Sequence, residues 1–182
     1  MNFAFFSSLI RNPLRMGAFT PSGPALTRKI ASLIDPNLPG PIIELGPGTG
    51  EITRELIKRV DESRLILIEA DKTFCPLLKE KFPRALILEG DAFTSSKVLP
   101  KHCSLPLGSV VSGLPLRNFP MEQRELLLKS FLKIMAPKAP FVQFSYGIHP
   151  PVPEDPKVFT CTFHKRVWQN LPPAGVWVYQ SK

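Results

Sequence analysis

The run Pro41-Ile42-Ile43-Glu44-Leu45-Gly46-Pro47-Gly48-Thr49-Gly50 places an apolar, strand-forming stretch directly before three glycines at alternate positions. Glycine is wanted where a chain must take φ > 0 or let a ligand approach its backbone. A helical pattern follows at once, with Ile52, Leu56 and Val60 on one face, Glu51 and Glu55 in the early turns, and Lys58 and Arg59 in the last. That charge order complements a helix dipole at both ends. Strand, glycine turn and helix make the nucleotide-binding corner of an α/β sheet. The dinucleotide fingerprint G-x-G-x-x-G needs a glycine where this chain has Glu51, and the phosphate-loop run Gly-Lys-Ser/Thr is absent.

Acids recur at the ends of the next two apolar runs. Leu65-Ile66-Leu67-Ile68 closes on Glu69 and Asp71, and Ala85-Leu86-Ile87-Leu88-Glu89-Gly90 closes on Asp91. Strand ends on one edge of a parallel sheet form the ligand crevice, so Glu44, Glu69 and Asp91 are expected to converge there. Three carboxylates suit a ligand with hydroxyls, an amine and positive charge, and suit a pyrophosphate poorly. S-adenosylmethionine carries ribose hydroxyls, an ammonium, a sulfonium and an adenine amine.

With these residues in place, the chain resembles the class I methyltransferases. Glu44 to Gly50, then Glu69, then Asp91-Ala92-Phe93 are similar to that family's motifs I, II and III. The resemblance implies a Rossmann-like α/β fold, mostly parallel with the last strand antiparallel. It also implies S-adenosyl-L-methionine as cofactor, held by Glu44, Gly46, Gly48, Gly50, Glu69, Ala70, Asp91 and Ala92.

Length and composition are consistent with this. A chain of 182 residues suits one well-buried core, and 43% hydrophobic with 21% charged residues is ordinary for a globular protein. A net charge of +8 fits either an anionic partner or simple solubility. Cys75, Cys103 and Cys161 are odd in number and widely spaced, as in a reducing compartment. No apolar run reaches the 18 residues a membrane span needs.

Residues 1–20 read as a separate amphipathic arm. Phe3, Phe6, Ile10 and Leu14 share a helical face, with Arg11 and Arg15 on the other side and Pro13 as a stop. No basic residue precedes the apolar run and no cleavage site follows, so it reads as an arm rather than a leader. A basic, phenylalanine-rich face suits an anionic membrane surface, engaged by residues 3–15; the alternative is packing on the protein's own core or on another subunit. Residues 21–182 are expected to form one domain. There Ser22 caps a helix with Leu26, Ile30, Leu33 and Ile34 buried, and Phe74, Leu77, Leu78 and Phe82 line another. Ser109–Gly113 is a fourth strand, a helix carries Leu127, Phe131 and Ile134, and Ala139–Gly147 is a fifth strand. Phe159–Trp168 and Gly175–Tyr179 form a closing hairpin. The stretch from Phe93 to Leu107 reads as irregular.

The segment after the fourth strand bears on the methyl acceptor. In the ribosomal RNA adenine dimethylases it is Asn-Leu/Ile-Pro-Tyr/Phe, which clamps a flipped base. This chain has Ser112-Gly113-Leu114-Pro115-Leu116 and so lacks both the amide and the aromatic. It also lacks those enzymes' C-terminal helical domain, which makes nucleic acid an unlikely partner and an RNA adenine N6-methyltransferase the alternative reading. Ser112 to Pro120, Gly17 to Ser22 and Asn170 to Ala174 instead resemble the bacterial phospholipid N-methyltransferases. That resemblance implies methylation of phosphatidylethanolamine toward phosphatidylcholine and peripheral association with the cytoplasmic face of the membrane. Ser112, Gly113 and Leu114 then face the acceptor. Tyr146 offers an aromatic face to the product cation or else caps the core. Arg117 meets a lipid phosphate or is a surface cation, and His149 and His164 have no obvious partner.

Overall fold

The computed structural model describes residues 23–182; the arm at residues 1–20 and the expected cap Ser22 lie outside them. The elements are α1 (Pro24–Ala31), β1 (Ile42–Leu45), α2 (Glu51–Leu56), β2 (Leu65–Glu69), α3 (Phe74–Lys81), β3 (Leu86–Glu89), α4 (Ala92–Val98), β4 (Ser109–Ser112), α5 (Met121–Leu132), β5 (Phe141–Ser145), β6 (Phe159–Val167) and β7 (Ala174–Ser181). The sheet order is β3-β2-β1-β4-β5-β7-β6. Strands β1 to β5 are parallel, and β7 runs antiparallel to both of its neighbours. This is the expected Rossmann-like α/β sheet with its last strand reversed.

The near-continuous apolar runs of β1 and β2 follow from burial on both faces. Ile43, Leu45, Ile66 and Ile68 turn toward a core shared with Leu127 and Phe131 of α5. Ile42, Leu65 and Leu67 turn the other way, onto Leu26 and Ile30 of α1, Leu56 of α2 and Leu78 of α3. Strand order reverses between β1 and β4, and the crevice beyond the strand ends at such a switch point is where open α/β sheets bind ligands.

Leu77, expected on the apolar face of α3, is exposed, and four further local expectations differ from the structure. Gly23, not Ser22, precedes the first turn of α1, with Pro24 at the first helical position, where its missing N–H costs nothing. Regular helix in α2 ends at Leu56, so Lys58 and Arg59 lie in the turn beyond it. The stretch after Phe93 is not irregular at first: α4 occupies Ala92–Val98, capped by Asp91, whose Oδ1 accepts from the Phe93 N–H at 2.9 Å. A run of Thr, Ser and Ser hides the helical period there. Strand β5 is shorter than read, because Pro140 precedes its first residue and Gly147 follows its end.

Candidate active site

The glycine turn joins β1 to α2, and its three glycines all take positive φ: +67° at Gly46, +55° at Gly48 and +83° at Gly50. They serve different ends. A Cβ on Gly50 would lie 2.5 Å from Phe82 Cε2, so that glycine lets α2 pack against the end of α3. A Cβ on Gly46 would lie 2.9 Å from Leu114 Cδ2, where the β1 and β4 loops meet. A Cβ on Gly48 would meet nothing within 4 Å. Only at Gly48 does the turn leave open room beside the backbone, as an approaching ligand requires.

A cleft of about 250 Å³, counting its open mouth, lies at the carboxyl ends of β1 to β4. Gly46, Ile68, Glu69, Ala70, Gly90, Asp91, Ala92, Phe93 and Leu114 line it, whereas Glu44, Gly48 and Gly50 do not. Glu69 Oε2 accepts from the Gly48 N–H and Oε1 from the Asp71 N–H, both at 2.9 Å. These bonds fix the carboxylate against the turn, while burial pushes its pKa up.

Glu44 does not line the cleft with the other two acids. It points to the α1–α3 side of the sheet, fully buried under α2, where Thr53 Oγ1 donates to its Oε2 at 2.7 Å. Its Oε1 is buried with no partner. Desolvation pushes the carboxyl to about 8, so it is mostly protonated at neutral pH.

On the acceptor side, Gly113 lies against the backbone of Gly46: a Cβ there would be 2.6 Å from the Gly46 carbonyl oxygen. The Gly113 N–H donates to Leu45 O at 2.8 Å, and the Leu114 N–H reaches Ser112 Oγ at 3.4 Å. Gln143 escaped the sequence reading. It is fully buried on β5, and its amide donates to Leu114 O at 2.9 Å and to Phe144 O at 2.7 Å. A polar residue inside an apolar strand was the available signal.

Tyr146 follows β5 and is not a cleft residue. It packs on the α1 side of the sheet, edge-on to Phe144 with ring centroids 5.9 Å apart. Burial raises its pKa, and its hydroxyl has Asn170 as a hydrogen-bond partner. Asn170 was likewise missed as a tie. Its Oδ1 accepts the Gly23 N–H at 2.8 Å, and its Nδ2 donates to Pro172 O at 2.8 Å. His149 and His164 are exposed. Arg117 is also exposed and donates to His149 O at 3.3 Å.

Known proteins share this sheet and this turn. Residues 23–99 match the family pattern of ribosomal RNA adenine dimethylases. An ornithine lipid N-methyltransferase of Singulisphaera acidiphila is 30% identical over 188 residues, covering 96% of this chain and 93% of that protein. The chain belongs to the class I S-adenosylmethionine-dependent methyltransferases. The ribosomal RNA small subunit methyltransferase A of Mycoplasma capricolum is 44% identical, but over only 57 residues, 31% of this chain and 21% of that protein. An O-methyltransferase of Bacillus cereus, solved in complex with SAH, superposes with a TM-score of 0.69 at 12% identity, covering 98% of this chain and 91% of that one. The methyltransferase uses S-adenosylmethionine, and its residues fit that group. There is open space beside Gly48 and a fixed carboxylate at Glu69.

Proposed function

We propose that this methyltransferase transfers methyl groups to the primary amine of a membrane lipid, phosphatidylethanolamine in the first instance. The observation that carries the reading is the acceptor segment. Ser112-Gly113-Leu114-Pro115-Leu116 offers buried apolar side chains at Leu114 and Leu116 and neither amide nor aromatic side chain to hold a base. Full-length similarity to a lipid N-methyltransferase supports it, whereas the match to RNA methylases lies in the cofactor half. The name of that relative favours one second reading, ornithine lipid as the acceptor.

When bound, S-adenosylmethionine supplies a methyl carbon made electrophilic by its sulfonium. The chain's own task is to hold the donor and to present the acceptor amine in line with that carbon, lone pair free. Glu69 would hold the ribose hydroxyls, and Asp91 and Ala92 would border the adenine. Gln143, by fixing the Leu114 carbonyl, sets the wall against which the amine lies. Leu114 and Leu116 exclude water and so lower the pKa of an ammonium that starts near 10. Its proton leaves to solvent before transfer, and no side-chain base is needed. With the cofactor bound, the amine lone pair would form the new N–C bond as the S–C bond breaks, the bond pair staying on sulfur as a thioether.

The test offers labelled S-adenosylmethionine with vesicles of phosphatidylethanolamine, with vesicles of ornithine lipid and with unmodified ribosomal RNA. Label in phosphatidylethanolamine is expected. Label in RNA alone would overturn the reading, and label in ornithine lipid alone would replace the head group.

A further inference from the structure

We infer that the β6–β7 connection and the loop after β5 form a membrane-docking face of the folded domain, distinct from residues 3–15, and that it seats the cleft edge on an anionic bilayer. Register places these loops. Ser145 pairs with Gly175 and Val167 with Ala174, so residues 168–173 and 146–150 emerge at the same sheet edge as the cleft. Arg166 Nη2 donates to Gly147 O at 2.9 Å, which ties the two loops together.

Three large apolar side chains stand out at this edge: Ile148 is 74% exposed, Trp168 73% and Leu171 83%. The backbone under them is held. Asn170, next to Leu171, is buried and bonded to Gly23 and Pro172, so its neighbours are presented on a fixed loop. A large exposed aliphatic on a fixed loop gains nothing from water and gains from burial in an acyl layer. The tryptophan suits the interface just above that layer.

Charge selects the lipid. Arg117, Arg124 and Arg166 converge here and donate to backbone carbonyls: Arg117 to His149, Arg124 to Phe119, Arg117 and Pro151, and Arg166 to Gly147. Among the described residues none of the three is paired with a carboxylate, and the first 22 residues of the chain contain no acid. Exposed Lys165 adds to them. Glu154 and Asp155 precede the start of β6, at the opposite sheet edge, and Glu122, exposed in the first turn of α5, makes no ion pair with the three arginines. Uncompensated cations beside protruding apolar tips match an anionic lipid surface.

The inference complements the lipid-amine reading, since an acceptor whose acyl chains stay in the bilayer must reach a cleft opening at this edge, and one experiment separates the two. The full chain is mixed with vesicles of phosphatidylglycerol and phosphatidylcholine carrying brominated acyl chains, and with brominated phosphatidylcholine alone. Trp177 is buried, so quenching reports Trp168 and is expected with the anionic vesicles and absent in Trp168→Phe. Ile148→Asp combined with Leu171→Asp, both at exposed sites, is expected to lower the partition constant by about tenfold or more. Vesicle-bound protein with unquenched Trp168, or a double variant that partitions like the parent, overturns the inference. So does a Trp168 emission change with a ribosomal RNA fragment but not with vesicles. Methylation of detergent-dispersed phosphatidylethanolamine, measured alongside, tests the substrate reading alone: its failure with Trp168 still quenched leaves the docking face standing.

Discussion

Glu44 makes the stability of this methyltransferase fall with rising pH, and Glu44→Gln removes that dependence. The carboxyl is fully buried, accepts one hydrogen bond from Thr53 and has an unpartnered second oxygen. Burial moves it from an ordinary 4.5 to about 8. A group whose folded pKa is raised contributes fully below its unfolded pKa, and the contribution is lost as pH rises through the folded one. At about 1.36 kcal/mol per pH unit, the displacement corresponds to roughly 5 kcal/mol lost between pH 4.5 and 8. With a urea slope of about 2 kcal/mol per molar, this is a midpoint shift of roughly 2 M. Glu69, whose pKa burial also raises, adds a slope of the same sign, so the quantity to read is the difference between parent and variant. Glutamine keeps an oxygen for Thr53 and leaves one amide unpaired, at a pH-independent cost of about 1–3 kcal/mol. Urea unfolding at half-unit steps from pH 5 to 9 should therefore show two curves that cross, the parent more stable in acid and the variant in base. Parallel curves would refute the reasoning, because they would mean Glu44 ionises in the folded protein as it does unfolded.

Gly48→Val should abolish S-adenosylmethionine binding by filling the open space beside the turn, and Glu69→Ala should weaken it by roughly 1–3 kcal/mol; titration calorimetry on folded variants checks both. Gly50→Ala should instead lower the melting temperature, since its Cβ would meet the Phe82 ring at 2.5 Å, and Phe82→Leu should restore part of the loss. Gln143→Leu removes the donor to the Leu114 carbonyl, so turnover should fall about tenfold or more while cofactor affinity, followed by calorimetry, changes little. Initial rates on phosphatidylethanolamine should rise from pH 7 to 9 as neutral amine accumulates.

Much of the cofactor side was legible because its signals are local. The glycines follow their strand directly, and Glu69 and Asp91 each close an apolar run, so order along the chain reports position on the sheet edge. Legibility stopped where a choice of face decided the outcome. Glu44 ends its strand as Glu69 does, yet its side chain turns under α2 to Thr53, a partner nine residues on that no strand-end rule selects. The tie from Gln143 to Leu114 spans 29 residues and that from Asn170 to Gly23 spans 147; the first depends on β5 lying beside β4 and the second on the β6–β7 loop meeting the start of α1, contacts that sequence pattern alone did not specify. In α4, the hydroxyl-rich stretch masked a helix that Asp91 begins.

The position of Gln143 also bears on how substrate range can change in such proteins. Every residue lining the cleft lies between Gly46 and Leu114, whereas Gln143, Tyr146 and Asn170 all lie downstream. Donor and acceptor halves are thus consecutive in the gene, and the downstream half is exchangeable without rewriting the upstream one. Asn170 crosses the seam to a backbone N–H, at Gly23, and so asks for no particular upstream side chain, whereas the tie from Gln143 meets the Leu114 carbonyl of the acceptor segment. A transplanted acceptor half would have to carry both residues together, so a crossover placed just before Ser112 should yield a working hybrid more often than one placed between Leu114 and Gln143.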